Sequence, residues 1–109
     1  MFKTLKAKPT GKPLDMFVTD TIATVAAAFD LTSAEINSGT RREPVAIARQ
    51  VAMWICRNHR DESFHSIGLQ FGLTHGTVIH AMKSVKNRLD TDSRFAAKTS
   101  LALKGMGLK

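Results

Sequence analysis

Apolar residues recur at intervals of three and four along most of this 109-residue chain, and no stretch alternates strictly. The first run spans about Asp15 to Phe29, where Phe17, Ile22, Val25, Ala26 and Phe29 make one stripe. Thr32, followed three residues later by Glu35, is a capping box and predicts a short helix over Ser33–Asn37 that ends at Gly39. Pro44 suits the first turn of a third helix reaching about His59. In that helix Val45, Ala48, Val51, Ala52, Ile55 and Cys56 crowd one broad face. Ala46, Arg49, Gln50, Met53, Arg57 and Arg60 fall on the other, the pattern of a central, half-buried helix. Ser63 is an N-cap for a fourth helix of about eight residues, with Ile67, Leu69 and Phe71 partly buried and Gly72 as its stop. Thr74 caps a fifth helix, His75 to about Leu89, with the apolar stripe Val78, Met82, Val85 and Leu89. Gly76, His80, Lys83, Ser84 and Asn87 lie roughly 160–200° from that stripe. A last helix, about Asp92 to Leu103, precedes a basic tail. The expectation is an all-α fold, a compact bundle of about six helices. Residues 14–109 form its single domain, and residues 1–13, with Pro9, Gly11 and Pro13 among the lysines, form a flexible basic arm.

Charge sharpens this picture. Sixteen Lys and Arg oppose nine Asp and Glu, a formal net charge of +7, which points to a polyanionic partner. Residues 14–40 carry Asp15, Asp20, Asp30 and Glu35 but no Lys or Arg. Arg41, Arg42, Arg49, Arg57 and Arg60 follow, opposed only by Glu43. From Ser63 to Met82 no charged residue occurs, and then Lys83, Lys86 and Arg88 arrive together. A neutral stretch between basic clusters fits a surface that grips phosphates at its edges and reads something at its centre. It fits a solvated basic face beside a buried helix pair equally well. One Cys excludes an internal disulfide framework and suits a reducing, cytoplasmic setting. No apolar run approaches the roughly 18 residues that span a bilayer, and the N-terminus lacks the apolar core of a secretory signal.

Two helices joined only by Gly72, Leu73 and Thr74, the second with one apolar and one small-polar-basic stripe, make a helix–turn–helix pattern. In that motif the second helix enters the major groove and reads base edges with its N-terminal residues. This chain offers His75, Thr77 and His80 there, with Gly76 leaving room for close approach. Two longer motifs accompany the pattern. The central helix carries A-x-x-R-Q-x-A-M as Ala46-Ile47-Ala48-Arg49-Gln50-Val51-Ala52-Met53. I-G-x-x-F-G, Ile67 to Gly72, is followed by H-x-T-V-x-H-A, His75 to Ala81. With these motifs, roughly residues 18–105 resemble the C-terminal DNA-binding domain of the bacterial replication initiator DnaA. The resemblance implies a Trp-repressor-like helical fold that binds double-stranded DNA at short sites. It implies a minor-groove role for Arg49, a second such arginine at Arg41, a phosphate contact at Arg57, and major-groove and phosphate contacts from His75, Thr77 and His80. Arg42, Gln50, Gly76 and Lys83 complete the expected DNA-binding set.

The chain also departs from that family. Its loop reads Gly72-Leu73-Thr74-His75-Gly76-Thr77 where the family has Gly-Gly-Arg-Asp-His-Thr-Thr, one residue longer. Leu73 and Thr74 replace the base-reading Arg and Asp. A bidentate Arg–guanine pair is worth roughly 1–3 kcal/mol of discrimination, so the preferred site is expected to change or relax. Gly11-Lys12 is followed by Pro13 and lacks the upstream Gly of a P-loop, so no nucleotide and no complete initiator are expected. His75 and His80 stand about 140° apart on a helix and Cys56 supplies no cluster, so neither a metal nor another cofactor is expected. No nucleophile–base pair or carboxylate cluster has catalytic spacing, which argues against an enzyme. The reading is therefore a bacterial or phage-encoded, cytoplasmic, nucleoid-associated DNA-binding protein. It would regulate replication or transcription, or compete for sites. The alternative is a helical protein–protein adaptor that kept the fold and lost DNA reading. Oligomeric state, any protein partner, and whether Lys3, Lys6, Lys8 and Lys12 touch DNA stay open.

Overall fold

A computed structural model describes residues 13–108; apart from Pro13, the expected basic arm lies outside the described residues. Six helices follow in order: α1 (Leu14–Ala28), α2 (Ser33–Asn37), α3 (Glu43–Arg60), α4 (Phe64–Phe71), α5 (His75–Thr91) and α6 (Ser93–Gly105). No strand occurs among the described residues. The fold is all-α, as the periodicity predicts.

The helix ends follow from local chemistry. The capping box at α2 closes in both directions: Glu35 N donates to Thr32 Oγ1 at 3.1 Å, and Thr32 N donates to Glu35 Oε1 at 2.9 Å. Ser63 caps α4 through Ser66 N at 3.0 Å. Asp92 both ends α5 and starts α6, its Oδ1 accepting from Arg94 N and Phe95 N at 3.1 and 3.0 Å. Asp61 closes α3 in the left-handed region at φ 56°, which Asp tolerates better than most side chains. At the α4–α5 corner Gly72 takes φ 69°, and Leu73 N donates to Gly68 O at 2.8 Å, a Schellman-type closure.

Helix α3 is the axis of the molecule, packed by α1, α2, α4 and α5. Its predicted apolar face, Val45, Ala48, Val51, Ala52, Ile55 and Cys56, is wholly buried, and each such Val or Ile contributes roughly 1.5–3 kcal/mol of transfer free energy. The opposite face departs from expectation because neighbours cover it too. Met53 is 1% exposed, and Arg60 is 3% exposed, with its Nε 3.0 Å from Glu62 Oε2 and its guanidinium 5.0 Å above the Phe17 ring. Leu69, expected to be partly buried, is 69% exposed, because α4 packs through Ile67 and Gly68 instead. Helix α6 lies across α1 and α5, with Phe95 edge-on to Phe29 at 5.9 Å.

Charge is unevenly distributed among the helices. Asp15, Asp20, Asp30 and Glu35 belong to α1, its C-terminal turn and α2, while Lys83, Lys86 and Arg88 lie on α5. Both α1 and α5 pack against α3 and α6.

Candidate nucleic-acid interface

Val78, Ala81 and Val85 are buried, and this fixes the rotation of α5 about its axis. His75, Gly76, Thr77, His80 and Lys83 consequently sit on its exposed side. Thr74 Oγ1 accepts from Thr77 N at 3.3 Å and lies 3.1 Å from Thr77 Oγ1, so the hydroxyl of Thr77 belongs to the cap as well as to the surface. A Cβ on Gly76 would find only Thr74 Oγ1 at 3.9 Å. The fold itself therefore does not demand glycine there. His80 Nε2 is 3.5 Å from Ser84 Oγ, one turn along. The first turn of α5 carries no acid, and its free N–H groups and helix dipole favour an anion in front of it.

A second set of candidates lies where α2 passes into α3. The connecting segment turns at Gly39, φ 82°, and is held locally by Thr40 N to Ser38 Oγ and Arg42 N to Thr40 Oγ1, both 3.3 Å. Arg41 is exposed and has no partner among the described residues. Arg42 Nη2 approaches Glu35 Oε2 at 3.5 Å, an exposed pair of small energetic weight.

Arg49 and Arg57, on the half-buried face of α3, are hydrogen-bonded within the protein. Arg49 is half-buried: its Nε donates to Ile36 O and its Nη1 to Thr40 O, both at 2.9 Å. Its Nη2 is buried without a hydrogen-bond partner among the described residues. Burial lowers the Arg49 pKa from its ordinary value. Gln50, beside it, is half-buried. Arg57 donates from Nη1 to Glu62 O at 3.0 Å and lies 4.2 Å above the Phe64 ring, committed to the α3–α4 connection. The ten candidates thus fall into an α5 group, a group at the α2–α3 junction, and Arg57, which lines a groove between α3 and α5 together with Lys86. Sequence reasoning missed the carbonyls of Ile36 and Thr40 as ligands of Arg49. Backbone acceptors leave no mark in a side-chain pattern. Lys86, which the sequence groups with Lys83 and Arg88, is exposed on α5, 3.8 Å from Asp90 Oδ2.

The carboxylates near the α3–α5–α6 cleft are already engaged. Glu43 Oε2 receives Arg88 Nη2 at 3.3 Å, and Asp92 caps α6. Among the described residues no three His, Cys, Asp or Glu side chains are grouped to hold a metal ion, and no helix is long and apolar enough to cross a membrane. Cys56 is fully buried, and burial, with Glu62 nearby, pushes its thiol pKa up to about 12, far from a nucleophile's range.

Comparison with known proteins agrees with this geometry. The profile of the bacterial DnaA protein helix-turn-helix matches residues 18–85. The chromosomal replication initiator protein DnaA of Bacteroides thetaiotaomicron is 38% identical over 81 residues, 73% of this chain and 17% of that protein. Its counterpart in Bacteroides fragilis is 40% identical over 79 residues, 72% of this chain and 17% of the relative. That of Wolbachia pipientis is 41% identical over 73 residues, 66% of this chain and 16% of the relative. The chain therefore spans about a sixth of the length of these relatives, and the family profile it matches is a helix–turn–helix, not a catalytic domain. By its helices, its corner and these matches, the chain belongs to the family of the bacterial DnaA helix–turn–helix, the C-terminal domain of that initiator.

Proposed function

We propose that this chain is a sequence-selective double-stranded DNA-binding protein that acts without catalysis, as a regulator or site competitor in replication or transcription. The observation that carries the proposal is the exposed first turns of α5. His75, Thr77 and His80 stand outward beside an uncrowded Gly76, with Lys83 one turn on and no acid among them. A helix N-terminus of this composition suits a phosphate-lined groove, with imidazole and hydroxyl groups available to base edges. Arg41, Arg42, Gln50 and Lys83 would hold the backbone on either side. Arg57, tied to Glu62 and Phe64, would present what remains of its guanidinium to a phosphate from a fixed corner. With Leu73 and Thr74 in place of the family's Arg and Asp, the site read should differ from the initiator's own.

Selection of bound duplexes from a random pool, followed by anisotropy titration of a selected and a scrambled duplex, tests this reading. The expected result is a recovered motif and tighter binding of the selected duplex. Equal binding of both would overturn sequence selectivity, and no binding of either would overturn the DNA reading altogether. In that last case the adaptor alternative gains, and the exposed Leu69 beside the corner is the observation in its favour.

A further inference from the structure

The guanidinium of Arg49 is turned into the protein: two of its nitrogens bond carbonyls and the third is buried. The two acceptors are instructive. Ile36 O lies in the last turn of α2, where carbonyls lack intrahelical partners, and Thr40 O lies in the segment leading to Arg41 and Arg42. The bonds reach 13 and 9 residues back along the chain, and so tie that segment to the central helix. At its start the segment is anchored by buried Ile36 and by Ser38, whose Oγ donates to Glu35 O at 2.6 Å. Beyond Gly39, which has little conformational restraint of its own, residues 40–42 are held by two local bonds of 3.3 Å and the exposed Arg42–Glu35 pair. Two charge-assisted bonds from a planar, preorganised donor are what ties the part around Thr40 to α3.

From this geometry we infer that Arg49 is a positioning residue: it clamps the Ile36–Arg42 segment onto α3 and so sets the direction in which Arg41 leaves the surface toward DNA. The inference rests on the DNA-binding reading for its consequence, not for the clamp. Arg49 reaches DNA through Arg41. A lysine keeps the charge but cannot bond both carbonyls in one plane, so Arg49→Lys separates charge from geometry.

A double-mutant cycle on duplex affinity tests the inference, using Arg41→Ala, Arg49→Lys and the pair, with thermal melts to verify folding. Arg41→Ala should weaken binding by about tenfold, the scale of one charge-assisted contact. Arg49→Lys should do nearly the same. The pair should lose little more than either alone, since an unclamped Arg41 no longer contributes. Retained affinity in Arg49→Lys, or losses that multiply to about a hundredfold, would overturn the inference and make Arg49 an independent contact. Amide exchange in the DNA-free protein gives a second readout. Arg49→Lys should speed exchange at residues 40–42 and leave the α5 amides unchanged; unchanged exchange at 40–42 overturns the clamp even if the variant binds poorly. If the parent chain binds no duplex, the functional reading falls, while the exchange result still decides the clamp.

Discussion

Trp54 and His59 meet edge to face, 5.7 Å between ring centroids, near the C-terminal end of α3. Burial lowers the His59 pKa below its ordinary 6.5, so the folded chain favours the neutral imidazole. The unfolded chain takes up that proton near pH 6.5 while the folded chain resists it until lower pH. Between those values the unfolded state binds more protons, and stability falls as pH falls through the window. Urea melts at pH 7.5 and 5.5 should show this loss, and His59→Gln should shrink it; an identical loss in the variant would place the titrating group elsewhere. Trp54, the chain's single tryptophan, supplies a direct probe, because an imidazolium at its edge quenches indole emission. The quenching midpoint is expected below 6.5. Gly76 offers a second residue-scale test. In a helical first turn it costs about 0.5–1 kcal/mol relative to Ala, and the space around it is open. Gly76→Ala should therefore raise Tm slightly while weakening duplex binding, and unchanged affinity would mean that DNA does not approach this backbone.

At the scale of the element, the α4–α5 corner turns on a different glycine. A Cβ on Gly68 would collide with the backbone carbonyl of Leu73, which cannot move without opening the turn. Gly68→Ala is expected to cost about 1–3 kcal/mol by overpacking and to reduce DNA affinity through the angle of α5. Thr74→Ala, which removes only the cap, should cost about 1 kcal/mol. Denaturant melts of the two variants check the ranking; a neutral Gly68→Ala would mean the corner is looser than its hydrogen bonds indicate. This corner was legible in the sequence because its punctuation is local: Ser63, Gly72 and Thr74 act within three or four residues of themselves. The face of α3 holding Met53 and Arg60 was not. Its burial depends on which helices arrive from elsewhere, and a helix covered on two sides cannot be told by its own periodicity from one covered on one side. The bonds of Arg49 were illegible for the same reason, since its ligands are distant carbonyls. Arg60 and Glu62, only two apart, were legible as charges but not as a buried pair, which depends on Phe17 lying beneath them.

For the whole molecule, the set that would engage phosphates is smaller than a count of basic residues indicates, because Arg49, Arg60 and Arg88 are turned to acceptors within the protein. Arg41, Arg42, Arg57, Lys83 and Lys86 would neutralise about five phosphates, and log Kd against log salt should have a slope of magnitude near 4.5, at about 0.9 per phosphate. Isothermal titrations between low and moderate salt measure it; a slope near zero with binding retained would exclude this surface. Removing residues 1–12 should make the slope shallower only if the lysine arm also touches DNA. The separation of acids on α1 and α2 from cations on α5 has a consequence that is kinetic. An uneven charge distribution of this kind gives the molecule an electric moment, so the field of a polyanion turns it as well as attracts it. It would arrive with α5 turned toward the rod more often than chance allows. Fewer encounters would then be spent on rotational search, and the gain would fade with ionic strength as the field is screened.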